Sequence, residues 1–110
     1  DTILHQVKEA VESCGLEILA TKETDMLYVP KESDVVKKLM NVYKEVTGDE
    51  SEALAIGGGT YAKMFPNMVA FGPIFPGMTA KIHQANEQME ITQIMKSIVI
   101  SAKGILALAE

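Results

Sequence analysis

The chain has 110 residues, a formal net charge of −5, 47% hydrophobic residues and one cysteine, Cys14. That length holds a single domain, expected to bury about 60–70% of the surface its unfolded chain exposes. The acidic balance, with scattered lysines and no arginine, argues against nucleic acid as a partner; a lone cysteine excludes an internal disulfide and makes a reduced, cytoplasmic setting the default.

The start, Asp1-Thr2-Ile3, has neither the basic nor the apolar region of a signal peptide. It also lacks an initiator methionine, so the chain is expected to be processed or cut from something longer. Ile3, Val7, Ala10, Val11 and Cys14 recur at helical spacing, which predicts a helix over 2–14 capped by Asp1 and stopped by Gly15. Leu16 to Ala20 reads as a strand, and Met26 to Val29 as an extended segment ending at Pro30.

After the junction Pro30-Lys31-Glu32-Ser33, Ser33 is placed to cap a second helix with apolar positions Val35, Val36, Leu39, Met40, Tyr43 and Val46, ended by Gly48. The acidic stretch Asp49 to Glu52 reads as a solvated loop. A strand is expected over Ala53 to Ile56, then Gly57-Gly58-Gly59-Thr60, one helical turn up to Pro66, and a strand over Met68 to Phe71. Gly72-Pro73 and Pro76-Gly77 punctuate the loop that delivers His83.

The last helix is capped by Thr92 in this reading. Ile94, Met95, Ile98, Val99, Ala102, Ile105, Leu106 and Ala109 form one broad apolar face, with Gln93, Lys96, Ser97 and Lys103 opposite. Lys96, Ser97, Ser101 and Lys103 interrupt this segment, so no membrane span is expected. The order of elements predicts an α/β fold with helices covering a sheet.

Two places carry candidate chemistry. The glycine run presents backbone N–H groups beside a helical turn, where an anion can be held; the plain alternative is a tight turn needing positive φ at one glycine. No Gly-x-x-x-x-Gly-Lys-Ser/Thr phosphate loop is present, and Ala62 stands where a dinucleotide fingerprint needs its third glycine. His83 lies in a polar loop, either solvated or offering one nitrogen to a metal. Glu87 and Lys63 are most simply solvent-facing, Tyr61 packed, the methionines core filler and Cys14 buried.

Leu27-Tyr28-Val29-Pro30-Lys31-Glu32-Ser33, Ala55-Ile56-Gly57-Gly58-Gly59-Thr60-Tyr61-Ala62-Lys63 and Ile82-His83-Gln84-Ala85-Asn86-Glu87 together resemble the end of di-zinc metallopeptidases of the aminoacylase, carboxypeptidase and dipeptidase superfamily, above all the PepV-type, carnosinase-like dipeptidases. The resemblance implies that residues 1–30 are the tail of an inserted lid domain and 31–110 the C-terminal part of the zinc-peptidase catalytic domain. It implies that His83 is the last ligand of a two-zinc centre and that Gly57, Gly58, Gly59 and Thr60 line the pocket for a peptide substrate's carboxylate. His5 matches no catalytic position. The other metal ligands, the general base and the lid's oxyanion and carboxylate-binding groups have no counterpart here.

The expected function is therefore part of a zinc-dependent dipeptidase, with no catalytic residue of its own, no complete zinc site and no activity alone. Its expected partners are the missing N-terminal portion of the polypeptide and other copies of itself. The competing expectation is a non-catalytic α/β binding or assembly module that uses the glycine turn for a small anion.

Overall fold

The computed structural model describes residues 2–72, 74–79 and 81–110. Among these residues, three α-helices and one 3₁₀ turn make up the regular structure: α1 Thr2–Ser13, α2 Asp34–Thr47, the 3₁₀ turn Tyr61–Met64 and α3 Ile91–Ala109. The expected α/β architecture is overturned, since no strand occurs among the described residues. The same correction removes the sheet from the competing assembly-module reading. A strand exists only through a ladder of hydrogen bonds to a neighbour. The segments at 16–20, 26–29, 53–56 and 68–71 have the apolar residues of strands but run singly. Leu19 is 90% exposed, and Leu54 and Ile56 also face solvent.

Local rules governed the helix ends well. Past α1, the Gly15 N–H donates to the Glu12 carbonyl (2.9 Å) and the Leu16 N–H to the Val11 carbonyl (3.2 Å). This is a Schellman ending, with Gly15 left-handed at φ 72°. The proposed Asp1 cap lies outside the described residues. Past α2, Gly48 adopts φ 70° and its N–H returns to the Lys44 carbonyl at 2.8 Å, the simpler left-handed ending. At the start of α2, Ser33 holds the cap position but its hydroxyl makes no capping bond and is buried without a partner. The α3 cap is Glu90 rather than Thr92.

The core sits where α2 crosses α3. Val42, Phe75 and Ile100 form its centre, flanked by Tyr43, Val46, Phe71, Met78 and Ala107. A Phe75–Met78 turn delivers the aromatic ring. Gly77 takes φ 81°, the Met78 N–H reaches the Phe75 carbonyl at 3.1 Å, and the Met78 sulfur accepts the Phe75 N–H at 3.2 Å. Lys96 places its ammonium 5.0 Å from the centre of the Phe75 ring, a cation–π contact.

α3 meets α2 through a face that periodicity does not single out. Ile100 and Gly104 are buried, and Gln93, Lys96, Ser97, Lys103 and Ala107 are partly covered. The apolar face carrying Ile94, Met95, Ile98, Val99, Ile105 and Leu106 is exposed instead. By length and composition α3 is apolar enough to cross a membrane, its mean hydropathy being 1.4. Only some methionines serve as core filler: Met78 packs against the core, whereas Met26, Met64, Met68 and Met95 are exposed. Cys14 is exposed, and so is Tyr61, at 91%.

Among the described residues, no helix packs on α1 and none of its side chains is buried. The chain has a radius of gyration of 18.5 Å, against about 13 Å for a compact domain of this size. Its accessible surface is 9256 Å², whereas a compact monomer of 12.0 kDa exposes about 6,000 Å². Burial therefore falls short of the expected share.

Candidate functional site

The glycine run enters the 3₁₀ turn through Thr60. Its Oγ1 accepts the Ala62 N–H at 3.2 Å, and its carbonyl accepts the Lys63 N–H at 3.1 Å. Ala62 is buried and anchors the turn. Thr60 therefore takes up one of the backbone donors beside the glycine run that an anion would use.

None of Gly57, Gly58 and Gly59 takes a positive φ, so the tight-turn explanation for glycine fails here. Crowding within the chain does not explain them either. A Cβ at Gly57 or Gly58 would meet no atom within 4 Å, and one at Gly59 would meet only the flexible Lys63 side chain, its Nζ at 3.6 Å. Four residues on from Gly59, Lys63 folds back over this bare backbone while remaining exposed. The i, i+4 spacing was the available clue to that pairing.

His83 stands at the third position of a turn over 81–84, closed by the Gln84 N–H on the Lys81 carbonyl at 3.4 Å. Its φ is 59°, and Asn86 follows at φ 60°. A left-handed third residue is the mark of a type II turn, a position usually given to glycine or asparagine. The imidazole is exposed. Beside it runs an open groove of about 270 Å³ lined by Ile74, Met78, Lys81, Ile82, Glu87 and Met89, among others.

Among the described residues, no hydrogen bond links His83 to the glycine run, and no three His, Cys, Asp or Glu side chains gather where a metal ion could be held. Zinc sites take three or four protein ligands. His5 pairs with Glu9 at 3.3 Å on α1, away from any such grouping.

The acidic loop is more organised than a solvated stretch. The Tyr43 hydroxyl donates to Asp49, which also accepts from the Ser51 N–H (3.2 Å) and hydroxyl (2.9 Å). Thr47 ties the corner from inside. Its hydroxyl donates to the Tyr43 carbonyl at 2.7 Å and accepts the Asp49 N–H at 3.0 Å. The hydrogen bond from Tyr43, then those from Ser51, hold the Asp49 carboxyl below its ordinary range. Burial, followed by the hydrogen bond and charge of Asp49, pushes the Tyr43 hydroxyl up. Glu50 pairs with Lys44, and Glu52 with Lys31 at 3.8 Å. This network secures the end of α2 and is structural.

No protein-family model matches the chain. It is 34% identical over 105 residues, 94% of its length, to a Bacillus subtilis (strain 168) protein named "Putative dipeptidase YtjP", of which it spans 23%. It is 33% identical over 96% of its length to a Staphylococcus epidermidis protein named "Putative dipeptidase", spanning 22% of it. A Staphylococcus aureus (strain USA300) protein, "Putative dipeptidase SAUSA300_1697", is 34% identical over 89% of the chain, which spans 21% of that relative. The chain thus covers less than a quarter of the curated relatives it matches, and their names support a dipeptidase family. No solved structure matches it.

Proposed function

We propose that this chain is the C-terminal part of a zinc-dependent dipeptidase that hydrolyses short peptides. The supporting observation is similarity along nearly the whole chain to much longer proteins that bear a dipeptidase name. In this reading residues 1–30 are the tail of the lid domain and residues 31–110 the C-terminal part of the catalytic domain. Gly57 to Thr60 lie against the carboxylate end of the peptide, which gives the glycines a reason the chain itself does not supply: close approach of a ligand to bare backbone. His83 offers an exposed imidazole on a fixed turn as one ligand of a two-zinc centre completed by the rest of the polypeptide.

The test uses the complete polypeptide that contains this chain. It should hydrolyse unblocked dipeptides, lose that activity to a chelator and regain it with zinc; the His83→Ala variant should be inactive, and the 110-residue chain alone should cleave nothing. Full turnover by His83→Ala would overturn the ligand assignment. Absence of peptide hydrolysis by the complete polypeptide would overturn the dipeptidase reading.

A further inference from the structure

Two faces of α3 differ in what they meet. The side bearing Ile100 and Gly104 is packed on α2, while Ile94, Met95, Ile98, Val99, Ile105 and Leu106 stand in solvent. An apolar stripe of this extent on one helix is the signature of a covered surface. We propose that the outward face of α3 is an internal interface seated against the remainder of the parent polypeptide, making α3 the middle layer between α2 and that remainder. The inference rests on the dipeptidase reading for the existence of the remainder.

Three observations choose this occupant over others. The relatives extend well beyond the stretch this chain matches, which spans less than a quarter of each, so an intramolecular partner of ample size is at hand. A second copy would bring another net charge of −5 against the first, a repulsive pairing. A helix that lies on lipid carries cations on its polar face, free to reach headgroups. On α3 the two lysines are committed elsewhere, Lys96 over the Phe75 ring and Lys103 to Glu45.

Met95 reports on this face directly, being 58% exposed, and methionine oxidation follows access to the sulfur. In the 110-residue chain, dilute peroxide should oxidise Met95 at nearly the rate of free methionine. In the complete polypeptide it should react about tenfold more slowly, at every protein concentration. Equal rates in the two proteins overturn the proposal. So does protection of the short chain that grows with its concentration, which would identify a second copy. Protection only on adding phosphatidylcholine–phosphatidylglycerol vesicles overturns it too, in favour of lipid.

A companion variant, Ile98→Asp, should leave the helix content of the short chain unchanged and lower the thermal midpoint of the complete polypeptide. An unchanged midpoint there counts against the interface. Neither measurement reads peptide hydrolysis, so a protected Met95 in a polypeptide that cleaves no peptide would sink only the functional reading.

Discussion

Gly104 of α3 sits so close to Leu39 of α2 that a Cβ at position 104 would lie 3.3 Å from Leu39 Cδ2 and 3.5 Å from Phe71 Cε1. The absence of a side chain sets how closely the two helices approach. Gly104→Val should destabilise the chain by about 1–3 kcal/mol through overpacking. Gly104→Ala should stay within about 1 kcal/mol of the parent, because its gain in helix propensity opposes the shift that Leu39 must make. Urea unfolding of the three proteins decides this. A stabilised valine variant would show that the helices do not meet at this point.

Removing the aromatic anchor is the harsher lesion. Phe75 is 4% exposed at the centre of the core, and Phe75→Ala should cost about 3–5 kcal/mol, enough to unfold so small a core. Glu45→Gln breaks only the exposed pair with Lys103 and should change stability by less than about 0.5 kcal/mol. Circular dichroism at 222 nm against urea ranks the two.

The Tyr43–Asp49 pair sets a pH dependence whose sign is fixed. Asp49 titrates below its ordinary 3.8 when folded, so the folded state favours the carboxylate. Its contribution is complete above that value and is lost as pH falls through the lower folded one. Tyr43 titrates above its ordinary 10.0 when folded. Its contribution is complete below that value and is lost as pH rises through the higher folded one. Asp49→Asn should flatten the acid limb of the melting profile and Tyr43→Phe the alkaline limb. An acid limb unchanged in Asp49→Asn would show that other carboxylates govern it.

At Gly58 fold and function separate. No atom of the described residues lies within 4 Å of an added Cβ and its φ is not positive, so Gly58→Val should leave the short chain's unfolding midpoint unchanged. In the complete polypeptide the same change should raise KM for dipeptides about tenfold with little effect on kcat, the pattern of lost uniform binding. A fall in kcat at constant KM would move the glycine run away from the ground-state substrate.

Helix positions and endings were legible because their causes are local. Apolar spacing located α1, α2 and α3, and Gly15 and Gly48 mark ends that only a left-handed residue completes. The sheet was not delivered, because the apolar run at 53–56 specifies a wish for a ladder but not a partner. Nor did periodicity say which side of α3 meets α2. The amphipathic pattern finds a face that must be covered, and here α2 is not what covers it. At the candidate site, residue type singles out His83 and the glycine run as candidates. The left-handed turn under His83 was not legible, although Asn86 nearby belongs to a type that tolerates such a backbone.

On the metal role proposed for His83, that turn sets stability and chemistry at odds. A left-handed backbone is roughly 1–2 kcal/mol less comfortable for a residue with an ordinary side chain than for glycine, so His83→Gly would relax this corner even as it deleted the imidazole. Screening the complete polypeptide for heat resistance alone would therefore reward losing the histidine, whereas, on the metal role proposed for His83, screening for turnover would retain it.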